Sequence, residues 1–459
     1  MVSDGSDFRP QDLVSSGVRK MSIRSIGLTG LAVVVLVGCG SSSDDPAPTT
    51  GTLELTVVDG STNAGTANAR VIVIDGATGE SIDLLLTDEN GNANNTYDAG
   101  VLQLRVSSQN YASSPPPGIP PLPVQIVAGQ TTSITVSIDA LPAAERGLIS
   151  GQVTNDQGQT ASGALVVVTA GDGTVLSTTA HTDGGFVVHN VPIGPATLDV
   201  FLGGQNFEST GPVSVTTDTN TEQNIMAVGL AFGEIYGHVS FTSVSGDIID
   251  ITLLHPATRD TLPNLRVVTD GGGSYAMAGV PYGEFEIIAS LDNDGFVLDP
   301  DTSVTQGIPT VAITELATVI ANKDFKVTGS IKLTNPPSIT DGSVPELGDQ
   351  PTFTWAKASS YASADYYVVE VVDESGDTVW GGFDSAANNY APLVTVPQGN
   401  EPSAIYDFDG TATLASLEPE RYYQLRVYAA VVDASDPRGY RLLSASETLD
   451  GILRTVPLQ

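Results

Sequence analysis

The chain is expected to fold as a series of small all-β sandwiches, and three observations lead there. Its 459 residues are too many for one hydrophobic core, which points to three or four domains. Gly (48) and Pro (28) are abundant, as turn-rich β domains require. Runs in which Val, Ile, Leu and Thr alternate recur along the whole length, the period-two pattern of half-buried strands.

Charge narrows the function classes. Acidic residues outnumber basic ones 53 to 18, for a formal charge of -35. Such a chain repels nucleic acid and anionic lipid, since both need clustered Lys or Arg. The charge fits solubility in a salty exterior, and alternatively a surface that collects divalent cations. A single cysteine excludes an intramolecular disulfide framework, and no Cys/His spacing suggests a structural zinc site.

Residues 1–20 include Asp4, Asp7 and Asp12, which do not suit a positively charged leader, and they read as an extension ahead of a start at Met21. From Met21, Arg24 precedes an apolar run from Ile26 to Val37. Twelve residues fall short of the roughly 20 that cross a bilayer but match the core of an export signal. The run ends in Leu36-Val37-Gly38-Cys39, which resembles the lipobox of bacterial lipoproteins. The resemblance implies a signal peptide over 21–38, cleavage before Cys39 and acyl chains on the Cys39 sulfur and amine. At about 0.8 kcal/mol per buried methylene, several chains anchor a protein stably. Gly40 is not the Asp that typically retains such proteins at the inner membrane, so the outer membrane of a bacterial cell envelope is the expected location. Residues 39–50, polar and broken by Pro46 and Pro48, read as a flexible tether.

An internal repeat follows. Residues 146–230 contain Ile149-Ser150-Gly151-Gln152-Val153, then Ser162-Gly163-Ala164-Leu165-Val166-Val167-Val168, then Thr182-Asp183-Gly184-Gly185-Phe186, then Val191-Pro192-Ile193-Gly194. Val166 and Val168 share one strand face, Asp183-Gly184-Gly185 supplies a hairpin turn, and Phe186 enters the core as the next strand begins. These spaced signatures resemble the carboxypeptidase regulatory-like domain, which implies a seven-stranded transthyretin-like, Ig-like sandwich. A second copy is expected at 231–327, with Gly237-His238-Val239, Thr269-Asp270-Gly271-Gly272-Gly273-Ser274-Tyr275 and Val280-Pro281-Tyr282-Gly283. A degenerate copy is expected at 51–140, where Thr87-Asp88-Glu89-Asn90-Gly91-Asn92 stands in for the hairpin. Within it, Pro115 to Pro123 reads as a stiff polyproline crossing.

Residues 328–459 differ. Pro351-Thr352-Phe353-Thr354-Trp355, Tyr366 to Val371, and Leu417-Glu418-Pro419 ahead of Tyr423 resemble a fibronectin type III domain. There Trp355 would pack the core and Tyr423 would form a tyrosine corner. A long insertion around Phe383 to Gly410 departs from that module.

Catalytic motifs are absent from the sequence. None of His181, His189, His238 and His255 has Glu three residues on, as a zinc carboxypeptidase would need. No nucleophile elbow, phosphate loop or dinucleotide fingerprint occurs. Asp292, Asp294, Asp299 and Asp301 crowd one loop, oxygen ligands that suit Ca²⁺ although not in EF-hand spacing; a solvated loop with Asx turns uses the same residues. Trp380 could stack on a sugar ring, or pack at a strand end. The expectation is a non-enzymatic envelope lipoprotein, attached to the membrane through Cys39, that serves as scaffold, adhesin or binder of a protein or glycan. Alternatives are a carbohydrate-binding component and a hydrolase with a site in the insertion at 383–410.

Overall fold

The computed structural model describes residues 49–456, except 77–79, 117–120, 143–144, 218, 242–248, 290–294, 339–343, 358–363, 374–375, 387–389, 400–401, 420 and 448–449. It is all-β apart from one short helix, Pro300–Gln306. Among the described residues no helix is long and apolar enough to cross a membrane.

Three successive sandwiches share one wiring. In the first, strand Thr50–Asp59 lies between Asn92–Asp98, antiparallel, and Thr131–Ile138, parallel. The facing sheet runs Ser81–Leu86, Arg70–Asp75, Gly100–Ser107, Leu122–Ile126. The second repeats this with Arg146–Thr154 between Gly185–Pro192 and the parallel strand Ile225–Leu230, and the third with Gly233–Phe241 between Ser274–Val280 and Phe325–Gly329. A parallel neighbour cannot be reached by a hairpin, so the intervening chain builds the second sheet on its way back.

One turn recurs in all three, between the third and fourth strands. Gly91, Gly184 and Gly273 sit there at φ +81, +81 and +88. A Cβ at any of them would lie 2.3–2.6 Å from the carbonyl oxygen of Val57, Val153 or Val239. Each glycine therefore meets two demands, a left-handed backbone and a close approach to the first strand. The backbone bonds align Asp88 with Asp270, whose carboxylates accept two N–H groups each, and place His181 at the equivalent position of the second module. Asp183 lies two residues later and caps Gly185 N–H instead. The three successive glycines of the third module, against two in the second, thus reflect a shift of the acidic cap along an identical turn. Beside the turn the modules trade side-chain volume across the first and fourth strands: Leu55 faces Ala93, whereas Gly151 faces Phe186 and Gly237 faces Tyr275.

In the fourth module the sheet Leu333–Asn335, Thr352–Trp355, Ser403–Ile405 faces a larger one centred on Tyr366–Asp373 and Tyr422–Val432. Trp355 is buried edge-on to Tyr367, 5.5 Å between centroids. The Tyr423 hydroxyl accepts the Glu418 N–H at 3.0 Å, the geometry of a tyrosine corner. Of the insertion, Thr395–Pro397 pairs with Tyr366–Val368, and Ser403–Ile405 with Thr352–Thr354.

The modules pack into one body. On strand Leu165–Ala170, Val166 and Val168 face their own core while Leu165 and Val167 enter the core of the third module. That two-sided burial explains an unbroken apolar run where alternation would serve a solvent-facing strand. Phe201 of the second module meets Phe285 of the third edge-on at 5.5 Å, and Tyr422 and Ile452 of the fourth join the core of the first.

Candidate functional site

Two features stand out: a set of buried arginine clamps and a cavity. Arg105 of the first module, 7% exposed, donates to Asp260 of the third at 2.9 Å, and Ser177 of the second donates to the other Asp260 oxygen. Arg105 also donates to the Pro115 and Pro116 carbonyls, at 3.0 and 3.1 Å, which holds the start of the proline-rich crossing. Arg454 reaches Asp139 of the first module at 2.8 Å and Glu346 of its own at 3.1 Å. Arg438 bonds Asp301 at 2.7 Å and Asp436 at 2.9 Å. The Arg105–Asp260 pair is deeply shielded, so removing either partner leaves an uncompensated charge, whereas the carboxylates that meet Arg438 and Arg454 across the junctions are partly exposed.

The cavity, about 600 Å³, lies between the third and fourth modules. Its third-module wall carries the apolar side chains of Ile288, Val297, Leu298, Val304 and Ile308 together with Arg259 and Ser303. The opposite wall carries Phe383, Tyr390 and Tyr428 with Glu370, Gln424 and Arg426. Its size and its position at a module junction are those of small-molecule sites, and its lining mixes apolar and charged groups.

Each polar group there is placed by its element. Arg259 closes the turn His255–Asp260 with its N–H on the His255 carbonyl, and it stands at φ +61, a left-handed conformation costly for a side chain. Its guanidinium pairs with Glu286 on strand Gly283–Ile288. Burial pulls Arg259 below the usual arginine range and pushes Glu286 above the usual carboxylate range, their attraction opposing both shifts; the charge of Arg426 lowers Arg259 further. Arg426 donates to Gln424 at 3.3 Å and stands 3.7 Å from Glu370. Glu370 also accepts from the Tyr428 hydroxyl at 3.0 Å and Thr378 at 3.1 Å. Burial, then Glu370, pushes the Tyr428 phenol far up, so it stays a donor. Phe383 meets Tyr428 edge-on at 5.1 Å. Tyr390 donates to the Thr305 carbonyl across the junction at 3.3 Å. Among the described residues of the lining there is no histidine beside its three serines, Ser303, Ser385 and Ser446.

The residues singled out by sequence fall elsewhere. Cys39, with the rest of the export address, lies outside the described residues, as do Asp292 and Asp294. Asp299 caps the helix Pro300–Gln306, accepting the Asp301 N–H at 3.2 Å, and burial raises its carboxyl above the ordinary value. Asp301 accepts from Arg438 and from Leu442 N–H at 2.8 Å. Both therefore serve the junction with the fourth module or the helix start. No group of three or more His, Cys, Asp or Glu able to hold a metal occurs among the described residues. Trp380 is 1% exposed, packed by Phe353, Tyr406 and Phe408, with its indole N–H on Asp409 at 3.0 Å; its faces are spent in the core. Sequence reading missed Arg259 and Arg426. The available signal was their rarity, since only 18 of 459 residues are basic.

Residues 148–228 match the model of the carboxypeptidase regulatory-like domain. The second module is a carboxypeptidase regulatory-like domain. That domain is not itself catalytic. No curated protein sequence matches the chain. Among solved structures, the chain is similar to the Bacillus anthracis TIE protein (12% identity, 61% of this chain, 51% of that one, TM-score 0.17). It is also similar to a streptococcal ancillary pilin (10%, 60% and 98%, 0.18) and to BcpA, the major pilin subunit of Bacillus cereus (13%, 61% and 100%, 0.18). The chain spans about half the length of the Bacillus anthracis protein.

Proposed function

We propose that the protein is a non-enzymatic lipoprotein of the bacterial cell envelope, anchored in the outer membrane by acyl chains on Cys39. Its modules form a stiff scaffold that holds a ligand at the junction of the last two, the fourth being a fibronectin type III-like sandwich. The observation that carries this reading is the interlock: Arg105 and Arg454, both buried, and the half-buried Arg438 are each spent on a carboxylate of another module. A reaction centre needs convergent nucleophile, base and oxyanion donors. Here the buried charges instead hold modules together, the work of a display platform. The lipobox at Leu36-Val37-Gly38-Cys39 supports the anchorage, and Gly40 the outer membrane.

The test of anchorage is the Cys39→Ala variant of the full chain. It should leave the membrane fraction for the soluble one while melting at the wild-type temperature. Retention with membranes in detergent-free lysates would sink the lipid-anchor reading.

A further inference from the structure

The arginines at module junctions follow two patterns. Arg105, Arg438 and Arg454 each cross a junction to meet a carboxylate on the other side. Arg259 and Arg426 do the reverse. Each is paired within its own module, with Glu286 and Glu370 respectively, and both line the cavity between the third and fourth modules, one from each wall. Arg426 is near enough to oppose the charge of Arg259. In a chain with 53 acidic residues and 18 basic ones, an Arg facing a carboxylate was the easy arrangement at this junction. Two guanidiniums lining one cavity repel, and Arg259 is carried there on a left-handed backbone that is costly for a side chain.

We propose that the cavity binds a small organic carboxylate, its anionic group held between Arg259 and Arg426 and its body against the apolar side chains of the third-module wall and the ring of Phe383. This deepens the ligand-holding part of the function proposed above and is independent of the lipid anchor. A guanidinium has five N–H donors in a rigid fork, so one that already serves a carboxylate has donors left for another. Arg426 spends its contacts on Gln424 at 3.3 Å and on Glu370 at 3.7 Å, both looser than a close charged pair. A planar monoanion suits two such forks. A phosphate dianion suits them less, because Glu370 and Glu447 line the same cavity and would repel its second charge. Tyr428, kept protonated, and Thr378 already hold Glu370 in place, so a ligand need not rearrange that wall. The aliphatic stretch of Val297, Leu298, Val304 and Ile308 gives an apolar or aromatic body a surface to pack on.

The test is calorimetric titration of the detergent-solubilised full-length protein with 4-hydroxyphenylacetate and with its neutral amide, and with D-galacturonate and D-galactose. Saturable binding of 4-hydroxyphenylacetate, weakened about tenfold or more in the amide, is expected, because a charged hydrogen-bonded contact is lost. Arg259→Gln and Arg426→Gln should each lose about tenfold in affinity, and Arg421→Gln, which alters an exposed pair with Glu418, should lose nothing. If only the sugars bind, with galactose equal to galacturonate, the cavity is a glycan site and the proposal falls. Equal binding of acid and amide, or no saturable binding of either carboxylate at millimolar concentration, overturns it as well. The acid–amide comparison uses the unaltered protein, so it decides the matter even where an arginine variant fails to fold. Membrane fractionation of Cys39→Ala tests the anchor alone, so the two failures are distinguishable.

Discussion

Replacing Asp260 with asparagine would remove a carboxylate on which three modules converge. Arg105 and Asp260 are 7% and 12% exposed and 2.9 Å apart, so solvent screens them weakly. At an effective dielectric of about 20, unit charges about 4 Å apart attract by about 4 kcal/mol, and losing one partner of a shielded pair costs about 3–5 kcal/mol. Asparagine keeps the shape and an acceptor for Ser177, so the lower end, about 3 kcal/mol, is expected for Asp260→Asn. In urea, with a slope of about 1–3 kcal/mol per molar, the first unfolding transition should move down by about 1–3 M. Circular dichroism suits the measurement better than tryptophan fluorescence, since Trp355 and Trp380 both lie in the fourth module. Several modules unfold here, so two-state behaviour is not assumed, and faster proteolysis at the junctions should accompany the shift. Pairing Asp260→Leu with Arg105→Met should recover part of the loss, because no charge is then stranded. A change under about 0.5 kcal/mol for Asp260→Asn, the value of a surface pair, would show that the hub does not join the modules.

Other outcomes follow from the geometry. Gly273→Ala should cost more than about 2 kcal/mol, since its φ is +88 and its Cβ would stand 2.4 Å from the Val239 carbonyl oxygen; a melting temperature within a degree or so of wild type would contradict the turn as drawn. Tyr423→Phe removes the acceptor of the Glu418 N–H and should cost about 1–3 kcal/mol by denaturation, with near-neutrality counting against the corner. His189, between the first two modules, has its pKa lowered from 6.5 to about 4, first by burial and then by the charge of Arg70. Between those values the unfolded chain binds the extra proton, so the stability this neutral histidine contributes is complete above pH 6.5 and lost as pH falls toward 4. The loss should approach about 3 kcal/mol, and the slope of stability against pH should flatten in His189→Gln; an unchanged slope would place the titration elsewhere.

Local signals carried the fold a long way. The all-β class was legible from alternation and turn composition, because strand faces and positive-φ glycines leave marks within a few residues. The carboxypeptidase regulatory-like domain at 148–228 was legible because its hairpin, tight turn and paired strands stand in fixed order. The helix at Pro300–Gln306 went unread although Asp299-Pro300-Asp301 is a cap, a proline in the first turn and an acidic first turn in sequence. An expectation of loop chemistry for four aspartates hid it. In the hairpins the acidic residue is a poorer guide to register than the positive-φ glycine, since Asp183 stands two residues beyond the position that Asp88 and Asp270 occupy. Trp380 beside Gly381 and Gly382 reads from sequence either as a sugar-stacking platform or as packing at a strand end, and packing is what the structure shows. Both glycines do adopt positive φ, yet the turn they make folds the indole inward against Tyr406.

The site was nearly invisible for a physical reason. Arg105 and Asp260 are 155 residues apart, and Arg454 and Asp139 are 315 apart. Nothing local distinguishes an arginine destined for a buried carboxylate from one destined for solvent, since both sit on strands at polar positions of the alternation. What composition does supply is scarcity. With 53 acids competing for 18 bases, each arginine has many possible partners, and the choice of one is informative in a way that it is not in a balanced chain. On that basis an arginine turned toward a carboxylate of another module needs no explanation beyond cohesion. Two arginines that line one cavity from opposite walls do need one. Their mutual repulsion is maintained by the fold itself, through the Arg259 backbone on one wall and the Glu370 and Gln424 contacts of Arg426 on the other. A bound anion is the arrangement that converts this repulsion into attraction without moving either wall.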